Sequence, residues 1–236
     1  MPKKASQKWN NLSSIFNSHV KGRAKKDATV ADNVEILWPL VLKIITGSNR
    51  KKLNILDYGC GCGGFCKLIY LKGHKVTGVD VSDKMISTAI NNSSKNIKYI
   101  VGGLSVLRQI KNKYDVITSL MVMQFIDDIS IYASKISGLI NRNGLFVVSV
   151  FNPCFVEKCV CSGLMFKSKK KLYINNVELD VFTRSENEYI KCFSEYGLEF
   201  LRSYYPKFSR SFVKKYKWPL SPEISEYMVL VFRKRG

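Results

Sequence analysis

Four glycines within six positions, Gly59, Gly61, Gly63 and Gly64, stand between two carboxylates, Asp57 and Asp80, and their types and spacing point first to chemistry. A run so poor in Cβ atoms lets the backbone turn tightly and approach a ligand that side chains would exclude. It fits G-x-G-x-x-G through Gly59, Gly61 and Gly64, so a dinucleotide site is one reading. Two details oppose it. Asp57 lies two residues ahead of the first glycine, where a carboxylate orders the loop or reaches the ammonium of an amino-acid moiety and would repel a pyrophosphate. Asp80 ends an apolar segment, where a carboxylate accepts both hydroxyls of a ribose.

Other reactive side chains are few. His19 and His74 are the two histidines; His19 is the candidate general base, while His74, in the turn Gly73-His74-Lys75, reads as a surface residue. Cys60, Cys62 and Cys66, like Cys154, Cys159 and Cys161, lack the C-x2-C spacing and partner pair of a zinc site, so no metal is expected. Seven cysteines with no disulfide-rich pattern suit a reducing compartment.

The elements that position these residues alternate as strand and helix, the rhythm of a parallel sheet covered on both faces. Strands are predicted at 53–58, 75–80, 97–101, 114–120 and 144–151, with helices at 64–71, 83–90 and 127–140. Ahead of them, Trp9, Leu12, Phe16 and Val20 recur at helical spacing, and a second helix is predicted from Pro39 to Gly47. Behind them, residues 171–182 read as a hairpin turning at Asn175-Asn176, and Ser185 with Glu188 as a capping box for a helix ending near Gly197. Segments 198–205 and 227–233 complete the strands.

Asp57-x-Gly59-x-Gly61-x-Gly63, then Val79-Asp80-Val81-Ser82, then Tyr114-Asp115-Val116-Ile117, resemble motifs I, II and IV of class I S-adenosylmethionine-dependent methyltransferases, in order. The resemblance implies a Rossmann-like α/β fold: a seven-stranded, mostly parallel sheet with the last strand antiparallel and helices on both faces. It implies S-adenosylmethionine as cofactor and S-adenosylhomocysteine as product. By position, Asp57, Tyr58, Gly59, Cys60, Gly61 and Gly63 hold the methionine part, Asp80 the ribose, and Val81 and Met85 the adenine, with Ser119 and Leu120 after strand four. The family's acid after strand three is missing here. Val101-Gly102-Gly103-Leu104-Ser105 stands in its place, leaving Gly103, Leu104 or Ser105 to replace it.

The run from Ser119 to Asp128, and the tail with Thr183-Arg184-Ser185, Tyr196-Gly197-Leu198 and Tyr205-Pro206, are similar to small-molecule methyltransferases of the ubiquinone-biosynthesis and natural-product type. Their His pair is Gln124-Phe125 here. The resemblance implies one domain over 1–236, with residues 1–47 and 152–183 as lids above a small acceptor. Tyr173, Tyr189, Tyr204 and Tyr205 are candidates for shaping that pocket.

With 38 Lys and Arg against 18 Asp and Glu, the chain carries +20, a charge that attracts polyanions or an anionic acceptor. RNA methylation is therefore the rival reading, although the charge is diffuse and no appended RNA-binding module is evident. Asn152-Pro153-Cys154-Phe155 echoes a base-amine methylation motif but follows strand five rather than strand four. A relative that binds the cofactor without turnover is a third reading. No apolar run reaches the roughly 18 residues of a membrane span, and a cytoplasmic protein of unspecified oligomeric state is expected.

Overall fold

The computed structural model describes residues 3–17, 31–47 and 52–236. Seven strands form the main sheet: β1 (Asn54–Tyr58), β2 (Lys75–Asp80), β3 (Lys98–Val101), β4 (Tyr114–Leu120), β5 (Ile140–Phe151), β9 (Leu198–Tyr204) and β10 (Tyr227–Lys234). Their order is β3-β2-β1-β4-β5-β10-β9. Only β10 runs against the others, wedged between β5 and β9. Strands β6 (Phe166–Ser168), β7 (Lys171–Ile174) and β8 (Val177–Asp180) make a separate small sheet. The chain order reverses between β1 and β4, and such a switch point opens a crevice at the carboxyl ends of the strands.

Helices cover both faces. On one, α2 (Trp38–Thr46), α3 (Gly64–Leu71) and α4 (Asp83–Asn92) bury Val41, Ile45, Phe65, Ile69 and Ile86 against β1 and β2. On the other, α6 (Ser130–Leu139) and α8 (Glu186–Glu195) bury Tyr132, Ile136, Tyr189 and Phe193 against β4, β5 and β10. The sheet is thus the class I methyltransferase arrangement expected from the motifs.

Several elements go beyond the sequence reading. Leu104–Gln109 is a helix, α5, started by Gly103, where only a cofactor turn was expected. Pro153–Cys161 is α7, with the Asn152 side chain accepting from the Cys154 amide at 3.1 Å and Pro153 in the first turn. The Asn-Pro pair is therefore a helix start, which places both residues by backbone needs. Arg210–Tyr216 is α9, and β5 begins at Ile140, with a detour between the pairs Tyr114–Ile140 and Val116–Leu145. The hairpin turns on Asn175 and Asn176 at φ 43° and 64°, and the capping box joins Ser185 to Glu188 as expected.

His74 corrects an expectation: it is buried, and its Nδ1 accepts the Leu53 amide at 3.2 Å, tying the end of α3 to the start of β1. Burial lowers its basicity.

Gly63 starts α3 from a left-handed φ of 78°, and a Cβ there would lie 2.5 Å from Tyr99 Oη and 2.8 Å from Ala89 Cβ. Gly63→Ala combines backbone strain with overpacking, an expected loss of about 2–4 kcal/mol in denaturant unfolding. A loss below about 0.5 kcal/mol would show that this close approach is not required.

Candidate functional site

The glycine loop is pinned to the end of β2. The amides of Gly59 and Cys60 donate to the Val79 carbonyl at 2.7 and 3.1 Å, and the Gly61 amide donates to Asp80 Oδ2 at 2.9 Å. The other Asp80 oxygen accepts the Ser82 amide at 2.9 Å, and Ser82 Oγ caps α4 by accepting from Met85 N at 3.1 Å. One carboxylate therefore ties the loop, the end of β2 and the start of α4 together. Burial raises its pKa, opposed by those amide bonds. Gly59 takes φ 80°, and a Cβ there would lie 2.1 Å from Val122 Cγ2 on the loop after β4.

Asp57 is buried beneath the loop. Its Oδ1 accepts from Thr118 Oγ1 at 2.7 Å and its Oδ2 from the Cys66 thiol at 3.4 Å, linking β1 to β4 and α3. Burial pushes its pKa up to about 6, and Asp80 nearby adds to the rise.

These residues wall a cavity at the switch point. Asp57, Tyr58, Gly59, Cys60, Gly61, Asp80, Val81, Met85 and Leu120 line it, with Trp9, Trp38, Phe125 and Phe151 among its aromatic wall. Its ionisable acids are Asp32, Asp57, Asp80 and Glu226, and no Lys, Arg or His lines it among the described residues. A chain of charge +20 thus encloses an acidic cavity.

The first helix, α1 (Lys3–Phe16), roofs this cavity. Asn10 fixes it in place: its Oδ1 accepts from Ser82 Oγ at 2.5 Å and its Nδ2 donates to Asp83 Oδ1 at 2.7 Å. Cys62 Sγ donates to the Ser13 carbonyl at 3.6 Å, Leu12 is fully buried, and Lys8 pairs with Asp180 at 3.6 Å. Trp9 packs edge-on against Phe125 with ring centres 4.9 Å apart.

A family model described as a methyltransferase domain matches residues 25–203. The chain belongs to that methyltransferase-domain family. The ubiquinone biosynthesis O-methyltransferase of Pelagibacter ubique is 31% identical over 105 residues, 43% of each chain. The protein of the same name from Coxiella burnetii is 28% identical over 126 residues, 52% of this chain and 54% of that one. The chain thus spans about half the length, or less, of these curated relatives. Among solved structures, a putative S-adenosylmethionine-dependent methyltransferase from Listeria monocytogenes aligns with TM-score 0.64 at 17% identity, over 78% of this chain and 90% of that one. The putative methyltransferase solved with the Haloferax volcanii Trm112 activator aligns with TM-score 0.65 at 13% identity, over 97% and 98%. Both share the fold.

Within the methyltransferase domain, the other residues named from sequence fall outside the cavity lining. Gly63 packs behind the loop, Ser119 is fully buried in β4, and Gly103, Leu104 and Ser105 start α5. Gly102 lines the cavity instead. His19 and Val20 lie outside the described residues. None of the four candidate tyrosines lines the cavity: Tyr189 belongs to the core, Tyr205 is exposed, and Tyr173 bonds Glu178. Sequence reasoning missed Asp32, Gln124 and Glu226, all buried and all on the cavity wall. Gln124 carried a signal, standing where the related enzymes place a histidine; Asp32 and Glu226 carried none.

Moving a carboxyl from 3.8 to about 6 separates its two protonation states by about 3 kcal/mol, so ionised Asp57 weakens the folded state above that pH. Asp57→Asn is therefore expected to raise the thermal midpoint at pH 8. The gain should shrink towards pH 5, where folded Asp57 has itself taken up a proton. A variant less stable than the parent at pH 8 would show that the ionised group is net favourable.

Proposed function

We propose that this chain transfers a methyl group from S-adenosylmethionine to a small-molecule acceptor by in-line displacement. The observation that carries the reading is the acidic lining of a cavity inside a strongly basic chain. S-adenosylmethionine supplies a methyl already activated on a positively charged sulfonium, beside an ammonium, and Asp57 and Asp80 at the glycine loop, with no basic side chain on the wall among the described residues, suit those charges. The same lining disfavours the pyrophosphate of a dinucleotide.

The residues fit this cofactor. Among the described residues, a Cβ on Gly61 would meet only Met85 Sδ, at 3.8 Å, so the loop is open towards the cavity there. Each Asp80 oxygen accepts one amide and keeps a further lone pair for a ribose hydroxyl. Val81 and Met85 flank the adenine, while Gly59, Cys60, Gly61 and Asp57 face the methionine part. With an activated methyl, the protein's contribution is alignment and exclusion of water, which the roof of α1 and the apolar wall supply.

For the acceptor, the relatives named for ubiquinone-biosynthesis O-methylation support a small hydroxyl-bearing molecule. Gln124 is 2% exposed and neither side-chain amide atom has a partner among the described residues, leaving a donor and an acceptor for that molecule's polar atoms. The acids favour a neutral or cationic head group over the anionic acceptor that the net charge suggests, and they disfavour a nucleic-acid phosphate inside the cavity.

Asp80→Ala is expected to weaken S-adenosylhomocysteine binding in calorimetry by about 1–3 kcal/mol, the range for hydrogen bonds to a charged group. Unchanged affinity would remove Asp80 from the site. With a methyl-labelled donor, label is expected in a small-metabolite extract. Label in RNA instead would reverse the acceptor class, and intact cofactor binding with no transfer to any fraction would mark a non-catalytic relative.

A further inference from the structure

Asp32 and Glu226 come from opposite ends of the chain and meet on the cavity wall. Asp32 opens the turn Asn33–Leu37 that leads into α2, with Oδ1 accepting the Asn33 amide at 2.7 Å. Glu226 precedes β10, and its carbonyl accepts the Asn152 amide at 2.8 Å, which holds it beside the end of β5. The acid pair therefore stands on the β5–β10 side of the switch point, whereas Asp57 and Asp80 stand on the β1–β2 side. The two acids are only 2% and 5% exposed, and no ion pair among the described residues includes either.

Two buried carboxylates without a cation share a proton rather than both ionise. Burial pushes Asp32 up to about 6, and burial with the neighbouring Asp32 holds Glu226 well above the usual carboxylate range. Beyond that shared proton, no donor among the described residues reaches Glu226 Oε2, which is buried. A buried polar atom left unsatisfied is costly, and a ligand that supplies a donor relieves that cost. Aromatic rings lie on the same side, since Phe151, the β-ladder partner of Tyr227, lines the cavity and packs on Phe125 with ring centres 6.4 Å apart.

We propose that the Asp32–Glu226 pair is the polar anchor of the methyl acceptor, receiving the hydrogen bond of an aryl hydroxyl and then its proton. The inference rests on the methyl-transfer reading and names the chemistry of its acceptor end. When the O–H bond breaks, its electron pair stays on the acceptor oxygen and the proton goes to the carboxylate of the pair that lacks one. A methyl ether has no proton to offer, so the product loses the contact and is released more readily than the substrate binds.

The test compares 2-naphthol with its methyl ether, titrated into protein saturated with S-adenosylhomocysteine. Wild type is expected to bind 2-naphthol at least about tenfold more tightly than the ether, and Glu226→Gln and Asp32→Asn each to lose about tenfold in 2-naphthol affinity. Affinity of both variants for S-adenosylhomocysteine should change by less than about twofold, and their thermal midpoints without ligand should equal or exceed the wild-type value. A merely structural pair would instead lower both midpoints. Equal binding of naphthol and ether, undiminished naphthol binding in the variants, or no naphthol binding to the S-adenosylhomocysteine complex would overturn the proposal. Failure of wild type to bind S-adenosylhomocysteine would instead overturn the methyl-transfer reading beneath it.

Discussion

The carboxylate of Asp80, with the Val79 carbonyl beside it, holds the glycine loop on the end of β2, and the floor, wall and roof of the cavity all connect to it. Through Gly61 it fixes the loop, through Ser82 it fixes the start of α4, and through Ser82 Oγ and Asn10 the same chain of hydrogen bonds reaches α1. Floor, side wall and roof are thus tied to a single buried acid. The left-handed glycines let the backbone come close enough for this, and Asp57 braces the loop from beneath against β4 and α3.

Charge distribution sets that cavity apart from the rest of the chain. The outer surface and the cavity carry opposite signs: +20 over the whole chain, but four acids and no base on the wall among the described residues. Buried acids are costly, and the raised pKa values of Asp32, Asp57, Asp80 and Glu226 express that cost. A cationic ligand recovers part of it, so groups that weaken the empty fold favour the loaded one. The basic exterior does not contradict this, because solvent and salt screen it from the interior.

Legibility from sequence followed distance along the chain. The loop from Asp57 to Gly64, the strand ending at Asp80, the Asn175-Asn176 turn and the Ser185–Glu188 capping box were all readable because each is a local pattern with a backbone cause. Helix α7 carried its start signal in Asn152-Pro153, but the same pair echoes a base-methylation motif, so its sequence is compatible with two meanings and the cap geometry decides between them. His74 sits in a polar-looking turn, and its buried hydrogen bond comes from Leu53, 21 residues earlier, outside any local pattern. Asn10 and the Asp32–Glu226 pair were illegible because their meaning lies in partners far away in sequence. Patterns of three to eight residues show which elements form, but not which of their exposed polar groups fold inward to face one another.

The central claim is that the glycine loop and the end of β2 are where the nucleoside ligand binds. Hydrogen–deuterium exchange with and without saturating S-adenosylhomocysteine tests it most directly. The account predicts that residues 59–64 and 80–85 gain the largest protection, with a smaller gain in α1. Protection confined to other parts of the sheet, or no change at saturating ligand, would contradict it.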